Sequence, residues 1–420
     1  MAQLKDDCFA FGGDLMPVEQ ALALIAEIGR PLTACEAVPL AAASGRILGE
    51  DIVAPMNVPP HDNAAVDGYA VFHDDLAAAG ETRLPVGGRI AAGHPLERPA
   101  RRGEALRVFT GAAMPDGPDA IFMQEDVRLE DGMVVLPPGL RRGANRRSAG
   151  EDIRQGSIVL PAGRRLRPQD VGLAGSMGLA ALPCRAPLRA AVFSTGDEVV
   201  EPGRPLPPGA VYDANRYAVM ALLAGLGAEV TDLGILGDQG ARTRAAIAEA
   251  ARHHHVLMTS GGVSVGDEDH VRATLLEQGT LHAWYLAIKP GRPLMLGQIH
   301  DTAFIGLPGN PAAAMVTFLR FARPLILRLA GASASAVDPI FFAVRSAFER
   351  KKKPGRREYI RVSLRPGSDG VLEAHAFGRE GAGILSSLVE TDGLAELPED
   401  MTRLERGAMI QVLPFSEVIG

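Results

Sequence analysis

Three cysteines in 420 residues are too few and too scattered to staple a fold or cage a metal. Cys8, Cys35 and Cys184 fit no ligand spacing and read as small semi-buried side chains in a reducing compartment. Aromatics are scarce, at 5% with Trp284 the single tryptophan, so large ring clusters cannot dominate the cores. No stretch reaches the roughly 18 to 20 uninterrupted apolar residues of a spanning helix. A basic region followed by an apolar core is missing at the start, so no export signal is expected, and the expected compartment is the cytoplasm. Basic excess is missing too: 43 Lys and Arg face 50 Asp and Glu, for a net charge of −7. That balance argues against nucleic acid or anionic lipid as the main partner, since either wants a broad basic face. An anionic small ligand would need a locally basic pocket.

What the chain does have is 47% apolar and 22% charged residues, an ordinary globular composition, with 48 glycines and 31 prolines. Its length suggests two to four domains. Asp14 can cap a helix starting at Met16-Pro17, with Val18, Leu22, Ile25 and Ile28 on one face and Gly29 at its end. From Gly45 to about Asn145 the texture is short β-type runs broken by Gly and Pro: Tyr69 to Phe72, Glu104 to Phe109, Ala120 to Met123, Met133 to Leu136. Arg141 to Ser148 then returns the chain to a helix around Pro168 to Met177. The expected division is residues 1–44 with 148–187 as an elongated helical and linker domain, and 45–147 as an inserted mostly β domain.

From Leu188 to Leu329 strands alternate with glycine loops and helices. Strands are expected at Leu188 to Ser194, Glu229 to Leu236, Val256 to Thr259, Trp284 to Ile288 and Ala303 to Gly306. Helices are expected at Arg216 to Leu226, Thr243 to Arg252, Val271 to Gln278 and Pro311 to Leu329. This is the pattern of a doubly wound, mostly parallel α/β sheet, here residues 188–336, which binds ligands at the carboxyl ends of its strands. Strand-like runs at Ile340 to Val344, Glu358 to Leu364, Val371 to Ala376 and Met409 to Leu413 predict a small β-barrel over 337–420.

Several strand-end loops can carry chemistry, and each has a plainer reading. Thr195-Gly196 exposes backbone N–H groups suited to phosphate, and Asp197 and Glu198 add hard oxygens of the kind Mg²⁺ prefers, but such a turn can be only a turn. Asp213 or Asn215 can simply cap a helix, as can Asp238. The run from Thr259 to Asp269 is the strongest local signal. Ser260, Gly261, Gly262, Ser264 and Gly266 allow close approach to an anion ahead of a helix. Its acids, with Asp269 last, suit a divalent metal or general acid–base work. Lys289-Pro-Gly-Arg292 sets two cations on a rigid turn, and a solvated basic turn is the alternative. Pro308-Gly-Asn310-Pro311 opens a helix whose N–H groups could hold a small oxyanion or merely start the helix. His253, His254 and His255 do not face one another on a helix and read as no metal site. Asp62 to Ala70 and Thr110 to Pro115 are polar turns in a different domain, so a shared site would require domains or protomers to meet.

Taken in order, these segments resemble the MoeA-type molybdopterin molybdenumtransferases, the family that includes the gephyrin E domain. The resemblance runs through Asp62-Asn-Ala-Ala-Val-Asp-Gly-Tyr-Ala, Thr110-Gly-Ala, Gly150-Glu-Asp152, Ser194-Thr-Gly-Asp-Glu, Ser260-Gly-Gly-Val-Ser-Val-Gly, Ile288-Lys-Pro-Gly-Arg-Pro and Leu307-Pro-Gly-Asn-Pro. It implies a MogA-like α/β domain and hydrolysis of adenylated molybdopterin to AMP as molybdate enters between the dithiolene sulfurs, assisted by Mg²⁺. It also implies a homodimer with the site between the α/β domain of one protomer and the β insert of the other. By motif position, Glu198, Asp238 and Asp269 would bind metal or act on the phosphoanhydride, and Asp67, Thr110 and Asp152 would reach the site from the partner. Lys289 and Arg292 would neutralise phosphate or molybdate, Pro308, Asn310 and Pro311 would form an oxyanion pocket, and Arg361 matches a functionally placed arginine. The resemblance leaves room for contacts with the molybdopterin adenylyltransferase and downstream cofactor-maturation proteins. The chain departs from the pattern at Tyr285, where many members carry lysine, at Ala64, which loses a hydroxyl, and at Ala382, where serine is common. Two other activities remain open on the same α/β domain, adenylyl transfer to molybdopterin and pyridine-nucleotide hydrolysis of the CinA type. A non-catalytic, gephyrin-like scaffold is a third reading.

Overall fold

The computed structural model describes residues 15–237, 240–261, 275, 277 and 279–419. Asp14, Asp238, the loop positions Gly262, Ser264, Gly266 and Asp269, and most of the helix expected at 271–278 lie outside the described residues. Two compact units form, one of residues 51–161 and 168–180 and the other of the remainder.

The first unit is built on a six-stranded sheet in the order Ala120–Met123, Gly68–Val71, Ala105–Val108, Thr82–Ile90, Met133–Leu136, Arg128–Glu130. Both faces are covered. Tyr69, Val71 and Phe122 pack on one side, and Ala70, Leu106 and Ile121 on the other, so the central strands read as continuous apolar runs. The unit extends past the expected boundary at 148. Arg146–Arg147 pairs with Asn63–Ala64 and Ile158–Leu160 with Ile52–Val53, so the returning chain is woven into the insert and takes the Pro168–Ser176 helix with it.

In the second unit the Val18–Ile28 helix buries Val18, Ala21, Ile25 and Ile28 against a core shared with the α/β sheet. That sheet runs Glu229–Leu236, Arg189–Thr195, Val256–Ser260, Thr302–Leu307, Pro293–Ile299, Gly279–Tyr285. The first four strands are parallel, which places their carboxyl ends and following loops at one edge. Pro293–Ile299 runs antiparallel to both its neighbours, with Met295 opposite Gly306 and Leu294 opposite Trp284. The strand at 293–299 was not expected, because Pro293 and Gly297 mask its apolar pattern. The strand expected at 284–288 divides into Gly279–Tyr285 and Ile288–Lys289.

The helix expected over 311–329 is continuous but not uniform. Pro311–Thr317 and Arg323–Leu329 flank a five-residue π turn, Phe318–Ala322, that buries Arg320. Beyond it, Arg357–Pro366, Leu372–Ala376, Phe342–Ser346, Met409–Pro414 and Gly393–Leu397 close into a barrel when the last strand pairs back with the first. Ile288–Lys289 joins this barrel as a parallel edge, with Ile288 opposite Arg357 and Lys289 opposite Glu358.

Candidate functional site

The loop after Arg189–Thr195 leaves the parallel edge through Gly196, at φ +124°, where a side chain would come within 2.5 Å of the Glu198 carboxylate. The Thr195 hydroxyl beside it is buried and has no hydrogen-bond partner among the described residues. Glu198 is held by its backbone, since Val211 N–H donates to its carbonyl at 2.8 Å and Val199–Val200 pairs with Val211–Tyr212. The base of this ribbon is clamped by Arg216, almost fully buried, which donates to Asp213 at 2.9 Å and to Asp232 and Glu201. Burial opposes the charge on Arg216, but the three carboxylates outweigh it and raise its pKa. Asp213 also accepts Arg216 N–H at 3.2 Å in the first turn of the Asn215–Gly225 helix, although the N-cap position itself is Ala214.

Asn215 does something else. Its amide donates to the Ser260 hydroxyl at 2.8 Å and to the Gly309 carbonyl at 2.7 Å, while Ser260 donates to the Pro308 carbonyl at 3.0 Å. Ser260 and Pro308 therefore tie two strand-end loops together. Gly261, at φ +86°, follows directly and donates to the Leu307 carbonyl. On the other side of the Glu198 loop, Asp197, Leu236, Gly237, Arg242 and Thr243 line a cleft of about 650 Å³, and the Thr243 hydroxyl fixes the Gly237 carbonyl at 2.6 Å. Arg242 is a cation at this cleft that sequence reading did not single out.

Lys289, Arg292 and Arg361, separate in sequence, meet in one cavity of about 580 Å³ between the α/β domain and the barrel. Arg350, Arg356 and Arg379 also line it, against the acids Glu349, Glu358 and Glu380. Arg361 donates to the Ser387 hydroxyl at 3.0 Å and to the Gly381 carbonyl at 3.1 Å, and burial pulls its pKa below the usual arginine value. Lys289 lies 3.5 Å from Glu358, whose other oxygen accepts from Arg350 at 2.8 Å. Tyr359, buried in the cavity wall, accepts from Arg320 at 3.3 Å, and burial raises its pKa to about 12. Arg350, Glu358, Tyr359 and Glu380 were all missed. Their only sequence signal was a density of arginines in the last quarter of an acidic chain.

The helix start at Pro311 corrects an expectation. Its first free N–H groups, Ala312 and Ala313, donate at 2.9 and 3.3 Å to the Ala382 carbonyl of the barrel domain. A chain carbonyl thus takes the place expected for an oxyanion. Asn310 precedes the helix with extended backbone and makes no side-chain cap.

In the first unit, Asp67 accepts both the N–H and the hydroxyl of Thr110 at 2.8 Å, and the backbone bond foremost lowers its pKa. Asp152 is held by its N–H on the Val58 carbonyl at 3.0 Å, next to Gly150 at φ +71°. Among the described residues no group of three His, Cys, Asp or Glu side chains is placed to hold a metal. Of the expected set, Glu198 is described and Asp238 and Asp269 are not. His253 pairs with Glu249, His254 with Thr231, and His255 accepts from Arg189 N–H, so the three rings point to separate partners.

Three family models match in the order of the domains: the MoeA N-terminal region (domains I and II) at residues 16–178, a probable molybdopterin binding domain at 191–328, and the MoeA C-terminal region (domain IV) at 343–415. The chain is 38% identical to the molybdopterin molybdenumtransferase of Haemophilus influenzae over 389 residues, covering 92% of this chain and 96% of that one. It is 37% identical to the enzyme of that name from Nostoc over 392 residues, covering 90% and 88%. A molybdopterin biosynthesis MoeA protein from Pyrococcus horikoshii superposes with a TM-score of 0.82 at 27% identity, covering 96% of this chain and all of that one. The family models follow the order of the domains along the chain, and the chain belongs to the MoeA family of molybdopterin molybdenumtransferases.

Proposed function

We propose that this chain inserts molybdenum from molybdate into adenylated molybdopterin with release of AMP. The observation that supports this best is the cavity where Lys289, Arg292 and Arg361 converge in a chain of net charge −7. Six cations facing three acids give the locally basic, partly enclosed setting that an oxyanion needs. The Asp197–Gly237 cleft and the Thr195–Glu198 loop at the parallel edge suit the phosphorylated pterin.

A divalent cation, Mg²⁺ in this reading, fits the donors: the Glu198 carboxylate over Gly196 and the Thr195 hydroxyl, without a partner among the described residues, are hard oxygens at one loop. Glu198, with Asp238 and Asp269, would hold it, and it would neutralise charge on the phosphoanhydride. The chain would act as a homodimer in the cytoplasm, with Asp67, Thr110 and Asp152 of one protomer serving the α/β domain of the other. Asp67, kept ionised by Thr110, is suited to orient a donor rather than to give up a proton. No helix among the described residues is long and apolar enough to cross a membrane.

Purified protein with Mg²⁺, molybdate and adenylated molybdopterin should release AMP and yield active cofactor, and Arg361→Ala should raise the molybdate concentration required. Absence of AMP under these conditions would overturn the reading. Consumption of ATP with molybdopterin alone would replace it with adenylyl transfer.

A further inference from the structure

Two of the cavity's cations are already engaged, and by the same pair of carboxylates. Lys289 Nζ lies 3.5 Å from Glu358 and 3.7 Å from Glu380. Arg350 donates through Nε to Glu358 at 2.8 Å and through both terminal nitrogens to Glu380, one of them at 3.2 Å. The two carboxylates are not equivalent. Glu358 sits on a barrel strand in register with Lys289, with its side chain 9% exposed, so it is a fixed counterion. Glu380 sits on a loop with its side chain 66% exposed.

The backbone of that loop is held on both sides. Phe377 N–H donates to the Arg361 carbonyl at 2.9 Å, Arg361 donates to the Gly381 carbonyl at 3.1 Å, and the Ala382 carbonyl takes the helix-start N–H groups. The Glu380 side chain can therefore leave while its backbone stays. A carboxylate forked on a guanidinium also presents the same paired oxygens that an incoming oxyanion presents.

We infer that Glu380 is an internal competitor for the oxyanion, a residue whose carboxylate must be displaced from Lys289 and Arg350 before an anion binds. This rests on the reading of the cavity as an oxyanion site. The cost of displacing it is the same whichever oxyanion enters, so Glu380 sets the affinity of the site for oxyanions rather than the preference among them.

The test is calorimetric titration of the full chain with molybdate and with perrhenate, a tetrahedral monoanion, for the wild type, Glu380→Gln, Glu380→Ala and Lys289→Ala. Removing two partly exposed ion pairs should tighten molybdate binding about fivefold in both Glu380 variants. Perrhenate binding should tighten by the same factor, because the contact displaced is the same for both anions. If Lys289→Ala weakens molybdate binding but neither Glu380 variant binds tighter, the competitor role is overturned and the oxyanion reading stands. If Lys289→Ala and the Glu380 variants all bind as the wild type does, the cavity is not the oxyanion site and both fall. Two Glu380 variants are needed because the glutamine amide could itself bond an oxyanion; agreement between them supports loss of charge as the cause.

Discussion

Asn215 and Ser260 are joined by a 2.8 Å hydrogen bond that links the first helix of the α/β domain to the loop with the densest glycine and hydroxyl pattern in the chain. Ser260 passes the link on to Pro308, so two strand-end loops are tied to the helix start through one amide. Asn215→Ala should cost about 1–3 kcal/mol of stability, because it leaves Ser260 and the Gly309 carbonyl short of a partner. Ser260→Ala in the same background should add less than it does alone, since the two act through one network. Denaturant midpoints of the four proteins check this, and strictly additive losses would count against it.

Arg216 faces three carboxylates, of which Asp213 is as buried as the guanidinium itself. Arg216→Met should therefore destabilise the unit by about 3–5 kcal/mol through the uncompensated Asp213 charge. Asp213→Leu in addition should recover part of that loss. Urea unfolding measures both, and no recovery in the double variant would show that the damage lies elsewhere.

Arg320 offers a contrast. It is buried in the π turn against Tyr359 and lies 3.4 Å from Glu396, but Glu396 also accepts from Arg357 at 3.0 Å. Arg320→Met leaves that carboxylate paired, so its cost should fall to about 1–3 kcal/mol, the range for a lost buried hydrogen bond. A loss equal to that of Arg216→Met would contradict this ranking.

Glu104 in the inserted unit accepts two bonds from Arg98, at 2.8 and 2.7 Å, and one from Arg101 N–H at 2.9 Å. Arg98 foremost holds its carboxyl below the ordinary 4.5. The sign follows: the stabilisation is full above the ordinary value and is lost as pH falls from there through the lowered value. Thermal unfolding should show a stability loss on acidification below about pH 4.5 that is smaller in Glu104→Gln. Parallel pH profiles for the two proteins would refute it.

The sequence was legible where pattern is local. Ala120–Met123 and Met133–Leu136 begin and end where their apolar runs do, and Glu229–Leu236 has the expected bounds. Pro293–Ile299 was hidden because a proline and a glycine interrupt a strand that gains its place from its neighbours. At the site, Lys289 and Arg292 were readable as two cations on one turn and Arg361 only through the family resemblance, and the cavity gathers them. Glu358 and Arg350 were not readable, because their roles arise from pairing between distant segments. Nor could the local motif at Pro311 reveal that Ala382, far along the chain, supplies the acceptor for the helix start.

The pairing of Lys289 with Glu358 across adjacent parallel strands has a mechanical consequence. A pocket at a domain seam ordinarily opens by hinging, with its walls parting as the domains swing. Here a short piece of the α/β domain is sewn into the barrel's own sheet, so one wall carries both the lysine and its counterion and travels as a single piece. Loading and unloading must therefore come from side-chain motion and the opposite wall, and the backbone spacing between Lys289 and Glu358 should stay constant across every ligand state.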